Sequence, residues 1–294
     1  MHNTNKNILL GTIICLSGSF CYVLMGTMSQ LFGKYFLLNQ LMFLQSLAGL
    51  ACSGYVMHSK EYSLTRMYRE FKLIYLARGA LSLTSIYALI FALRHMSIFN
   101  ALIILNTTPF LIPFLRRLFL GVRIHKFIFP ALFVAFSGVV LILSPDGNLV
   151  GVSTLVMFIS MIALSLSLLV LEHKEHTDKE LSLFYYFLFS AAALFVLLAA
   201  NHQLTNIPLH YTPIGLLIGI AFFFTQFFVI NAAKYISSQL ISVVFYSEII
   251  MSLFVSMAMG TAAISTSIIF GITCVILGGI FVSMLEKYAR LPAA

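Results

Sequence analysis

FALRHMSIFNALIILNTTPFLIPFLRRLFLGVR, residues Phe91–Arg123, is a short basic turn followed by an apolar run that carries Asn106, Thr107 and Thr108 and two prolines, Pro109 and Pro113. Moved 140 residues along the chain, it falls on a second such stretch without a gap. Ala92 meets Ala232, Arg94 meets Lys234, Ser97 meets Ser237 and Phe114 meets Phe254. The match extends outward in both directions, pairing Gly11 with Gly151, Leu41 with Leu181, Gly79 with Gly219 and Gly138 with Gly278. Each half holds five long apolar stretches. A unit that crosses a bilayer an odd number of times ends on the far side, so its copy must insert upside down. An inverted-topology repeat of this kind is how many secondary transporters build a site near the membrane midplane.

Composition agrees with a membrane location. Of 294 residues, 61% are hydrophobic and 9% charged, and the mean hydropathy is +1.01. Soluble domains carry roughly 25% charged residues, so this chain has too little polar surface to face water. Crossing a hydrocarbon core of about 30 Å takes about 20 apolar residues per helix. The expected spans are 8–29, 37–58, 73–93, 97–118, 125–144, 151–171, 181–200, 213–233, 237–258 and 264–285. The fold class is therefore all-α integral membrane, with ten transmembrane helices as two inverted repeats of five, residues 1–144 and 145–294, in one membrane domain. The first span follows Lys6 and is too long for a signal-peptide core, so it reads as a transmembrane helix. The prolines of the fourth span predict a kink there, with neighbouring groups re-satisfying the freed backbone.

The formal net charge of +8 is an orientation signal rather than a nucleic-acid footprint, because the basic residues flank apolar spans. With the N-terminus inside, fourteen of the seventeen Lys and Arg fall in inner segments, only Lys34 and Arg94 fall outside, and Arg78 lies within a span. Both termini are expected in the cytoplasm. The four cysteines, Cys15, Cys21, Cys52 and Cys274, all lie in apolar spans and read as buried small hydrophobes.

The segment Phe91–Arg123 resembles the EamA-like family of the drug/metabolite transporter superfamily. Ala92-Leu93, Pro109, Gly121 and Gly138 match in order, and the second half repeats the pattern with Ala232-Ala233, Lys234, Ser237, Glu248 and Gly278-Gly279. Where the family has Gly-Glu, this chain has Gly121-Val122 and Gly260-Thr261. The resemblance implies ten helices around a central cavity in the bacterial inner membrane. It also implies movement of small polar or amphipathic metabolites, often amino acids or their derivatives. Some relatives in host-dependent bacteria take up S-adenosylmethionine, which makes an uptake or exchange carrier for a host-derived nucleoside-type metabolite the alternative.

Polar groups at membrane depth nominate the site. An acid at a helix centre costs about 2.5–3.5 kcal/mol on insertion scales, so Glu248 must be neutral, paired or beside a wet cavity. Its repeat partner is Thr108, next to Asn106, and Asn106 is the preferred contact from the first half. Arg78 either snorkels to headgroups, grips a carboxylate or phosphate, or pairs with Glu248. Tyr246, Gln226, Tyr87 and Tyr22 complete the candidate substrate contacts. Protons are the candidate coupling ion, and the carrier is expected as a monomer or homodimer in the lipid bilayer. No cofactor or metal is expected. His173 and His176 have a metal-like spacing but sit in a charged linker, where a solvated loop is the better reading. There is no Gly-rich phosphate loop to support ATP hydrolysis. A non-transporting intramembrane enzyme or sensor would need a cluster of acids, histidines or cysteines at depth, and the spans offer Glu248 as their one acid.

Overall fold

The computed structural model describes residues 2–121, 128–143, 151–172, 178–204, 207–236, 238–261 and 265–289. Ser237, the paired histidines His173 and His176, and Val122, Arg123, Lys126, Lys174 and Arg290 of the charge and repeat readings lie outside those residues. The described residues form helices and turns with no strand: α1 (His2–Phe32), α2 (Leu38–Ser59), α3 (Leu64–Arg69), α4 (Leu73–Ala92), α5 (Ile98–Leu105), α6 (Thr108–Leu120), α7 (Ile128–Leu143), α8 (Val152–Glu172), α9 (Lys179–Ala200), α10 (Thr212–Ala232), α11 (Ser238–Val244), α12 (Tyr246–Ala258) and α13 (Thr266–Ala289). Among them, eight spans are long and apolar enough to cross a membrane. Two of the eight are composite: 98–119 runs through α5 and α6, and 240–258 through α11 and α12. The fifth and tenth expected spans correspond to α7, described over 16 residues, and to α13.

The two composite spans break at adjacent positions of the 140-residue shift, Asn106–Thr107 in the first and Phe245, which corresponds to Leu105, in the second. In the first, α5 ends at Asn106, whose amide turns back to the Leu102 carbonyl at 2.8 Å, and α6 begins with Pro109 in its first turn. A proline there lacks only an N–H that a helix start leaves unpaired anyway. Thr107 and Thr108 hydroxyls donate to the Ile104 and Leu105 carbonyls at 2.7 and 2.6 Å, the second an acceptor that Pro109, with no N–H, leaves open. Pro113 lies inside α6 without ending it. In the second span the break falls at Phe245 with no proline nearby. Both composite helices also end on a glycine in the left-handed region, Gly121 at φ 66° and Gly260 at φ 68°, where a side chain would be strained.

Neighbouring helices are held by close apolar packing. α1 packs along α10, α4 along α8, α2 along both α9 and α10, α4 along α9, and α7 along α13. The approach of α2 to α10 is tightest at Gly219, where an added Cβ would lie 2.7 Å from the Gln45 backbone and 2.8 Å from Ala48. Small residues at such crossings let backbones meet. Gly219→Ala should therefore overpack the crossing and destabilise the fold by about 1–3 kcal/mol, read as a lower melting midpoint in detergent. An unchanged midpoint would mean that α2 and α10 are free to separate.

The start of α9 is a polar hub. Asp178 caps the helix by accepting from the Glu180 and Leu181 amides at 3.0 and 3.1 Å, and the Tyr62 hydroxyl donates to its other oxygen. Burial, together with that carboxylate, pushes the Tyr62 phenol above its ordinary range, so it remains a donor across physiological pH.

Candidate functional site

Between the long helices lies a narrow cavity of about 40 Å³, room for a few waters and well below the roughly 300–1,000 Å³ of an open small-molecule site. Its walls follow helical spacing. From α4 come Arg78, Ser82, Ser85 and Ile86, at steps of four, seven and eight residues that share one helix face. From α10 come Phe222, Thr225, Gln226 and Val229 on the same pattern. Tyr22 of α1, Asn106 at the α5–α6 break, and Phe245 and Glu248 at the α11–α12 break close it. Five of the seven sequence-nominated residues, Glu248, Arg78, Asn106, Gln226 and Tyr22, therefore meet in one space.

Arg78 is 3% exposed, so it does not snorkel to a surface. It donates to Ser182 Oγ at 3.1 Å and to Gln226 Oε1 at 3.4 Å, and its Nε–H has no partner. Tyr186, fully buried, is near enough to feel its charge. No carboxylate pairs with Arg78 among the described residues, so pairing with Glu248 is also ruled out in this arrangement. A guanidinium held only by neutral oxygens retains its charge for an incoming anion, and its planar fork suits a carboxylate or phosphate.

Glu248 is 2% exposed, with Ser19 and Asn106 as the side chains beside its carboxyl. The cavity thus places a cation among neutral oxygens in one region and a carboxyl with amide and hydroxyl neighbours in another.

Two nominated residues lie elsewhere. Tyr246 is buried with Phe99, Ile103 and Phe110 in a separate apolar cluster, its hydroxyl unpartnered. Two residues before Glu248 on the same helix, it points about 200° away around the axis. Tyr87 donates to Asn39 Oδ1 at 2.6 Å and braces α4 against α2. Conversely, the sequence reading passed over four cavity hydroxyls, those of Ser82, Ser85, Ser167 and Thr225. Ser82 and Ser167 hydroxyls are 2.7 Å apart, those of Ser85 and Ser160 3.1 Å, and Ser160 also donates to the Ser85 carbonyl at 2.8 Å. These pairs zip α4 to α8. The Arg78, Ser82, Ser85 spacing was the available signal.

A second, wider cleft of about 720 Å³ opens near the α4–α5 turn, lined by Gln30, Arg94, His95, Asn100, Ser153 and Thr261 among others.

Fold and cavity define a multi-pass helical membrane protein that encloses a polar site among its spans. Residues 9–144, a little under half of the chain, match the model of the EamA-like transporter family, part of the drug/metabolite transporter superfamily. That match points to a membrane transporter of this type. A solved crystal structure is similar in fold, with a TM-score of 0.67 at 15% identity over 96% of this chain and 98% of its own. No curated protein matches the chain in sequence.

Proposed function

We propose that this chain is a secondary transporter of the bacterial inner membrane that moves a small, carboxylate- or phosphate-bearing metabolite, foremost an amino acid or derivative. Access alternates between two five-helix halves, residues 1–144 and 145–294. The observation that carries this reading is Arg78, a buried cation in a cavity wall whose hydrogen bonds all go to neutral oxygens. Asn106, Gln226 and Tyr22 orient the rest of the substrate, and Glu248 is the titrating or substrate-binding group.

The helix packing supports the inverted pair. Under the 140-residue shift α1 corresponds to α8, α2 to α9, α4 to α10 and α7 to α13. The contact of α1 with α10 then maps onto that of α8 with α4. The contacts of α2 with α9 and of α7 with α13 map onto themselves. A pseudo-twofold relation gives two alternative packings of similar energy, which alternating access requires.

Purified protein in liposomes preloaded with unlabelled substrate should accumulate labelled substrate by saturable counterflow. Amino acids form one arm of the experiment and S-adenosylmethionine the other, because the aromatic walls Tyr22, Phe222 and Phe245 also suit a stacked base. Non-saturating flux without counterflow would replace the carrier by a passive channel.

A further inference from the structure

The two ends of the bundle are closed by different chemistry, and the repeat shows where the difference lies. In the first turn of α9, one carboxylate oxygen of Glu180 accepts from Lys60 Nζ and from Lys234 Nζ, each at 2.6 Å. Lys60 follows α2 and Lys234 lies in the turn after α10, so a single acid ties three helix ends together. The adjacent Lys179 Nζ donates to the Ala233 carbonyl at 2.5 Å, joining the same two elements again. Two residues on, Ser182 holds Arg78. The tie and the anion grip therefore share one helical turn.

At the opposite end the 140-residue shift places Gln40 where Glu180 stands and Arg94 where Lys234 stands. The positions correspond in structure too: Gln40 is in the first turn of α2, and Arg94 is in the turn after α4. Both meet the same peptide unit. Arg94 donates to the Phe36 carbonyl at 2.9 Å, while the Leu37 N–H donates to Gln40 Oε1 at 3.1 Å. A neutral amide offers Arg94 no charge, and Arg94 lines the wide cleft instead. Other ties across that end, among the described residues, are between neutral groups and include Asn39 and Gln40 to Gln203 at 3.2 and 3.0 Å, Tyr87 to Asn39 at 2.6 Å and the Tyr35–Tyr211 ring stack.

We propose that Glu180 is the latch of the gate at the end rich in lysine, the predicted cytoplasmic end. Its replacement by Gln40 at the mirror position leaves the other gate without a latch and biases the resting carrier to open outward. This rests on the alternating-access reading above and assigns its regulation. Release of the latch belongs to the same turn as the anion grip, so an anion that draws Arg78 away from Ser182 also loosens the seat of Glu180.

Hydrogen–deuterium exchange of the full chain in nanodiscs, without substrate, tests it. Glu180→Gln should speed exchange about three- to tenfold in 57–61 and 233–236, as loss of two partly exposed ion pairs allows, and slow it in 93–97. Gln40→Glu should do the reverse, because it supplies Arg94 with a carboxylate. If E180Q fails to fold, Lys60→Gln with Lys234→Gln removes the same pairs from the other side. Unchanged exchange in these variants, or a shift of both ends in the same direction, overturns the latch. Because no substrate is present, the two readings fail separately. Opposite shifts in a protein that moves no metabolite would keep the latch and refute the carrier. Normal counterflow with flat exchange would do the opposite.

Discussion

In Arg78→Met, transport should fall by at least about a hundredfold while the thermal midpoint of the protein rises. The two effects come from one cause. An arginine at membrane depth costs about 2.5–3.5 kcal/mol even on the lenient insertion scales, and among the described residues no carboxylate offsets that cost. Met fills most of the same volume with no charge to desolvate, so the folded state should gain about 1–3 kcal/mol, as when buried ionic groups give way to apolar ones. Ser182 and Gln226 then lose a donor, which takes back part of the gain. For the bound substrate the balance reverses. Removing one member of a buried, hydrogen-bonded charge pair typically costs about 2–5 kcal/mol, which sets the expected loss of transport. Arg78→Lys keeps the charge without the fork and should fall between. Counterflow rates and detergent melting curves on the same preparations check both halves of the prediction. A destabilised Met variant would make Arg78 a structural strut, and undiminished transport would remove it from the substrate site.

The polar residues that stood out against an apolar background were legible, and the reason is energetic. Arg78, Glu248, Asn106 and Gln226 are costly in hydrocarbon, so their presence in apolar spans is by itself the sign of a cavity. Serine gives no such warning, since its hydroxyl can turn back to its own helix, as Ser165 does to Met161 at 2.7 Å. Ser82, Ser85 and Ser167 were therefore hidden among serines of that kind. Tyr246 was misplaced because nearness in sequence to Glu248 is not nearness on a helix face. The break at Phe245 had no proline to mark it, whereas Pro109 marked its counterpart. The short helix α3 lies in the segment after α2, where basic charge masks the helical pattern. The 140-residue self-match was legible in the sequence, yet the chemical inequality of its paired positions became informative only with contacts in hand. Arg78 corresponds to Ile218, Glu248 to Thr108 and Glu180 to Gln40. One half thus carries the cation, and the other carries the acid and the latch.

That inequality leads to the second large effect, at Glu248. In Glu248→Gln, a pH gradient should no longer drive accumulation of substrate, while counterflow at equal pH persists within several-fold of wild type. Among the described residues, Glu248 is the one carboxyl lining the cavity. The other titratable groups around it are Tyr22 and Cys15 from α1 and, elsewhere in the wall, Arg78. A phenol, a thiol and a guanidinium all titrate, unperturbed, well above the acidic side of neutrality, so the carboxyl is the group suited to carry a proton across in exchange with the gradient. Glutamine keeps the shape and can still accept from Asn106, whose amide has a second hydrogen besides the one on the Leu102 carbonyl, but it cannot take up or release a proton. Accumulation ratios in proteoliposomes with an imposed pH difference give the measurement. Loss of gradient-driven uptake with intact exchange separates coupling from binding, because a residue needed only to hold substrate would lower both together. If the gradient still drives E248Q, proton coupling does not pass through this carboxyl, and Glu248 is left as a polar contact whose removal should then raise the KM for counterflow without altering its pH profile.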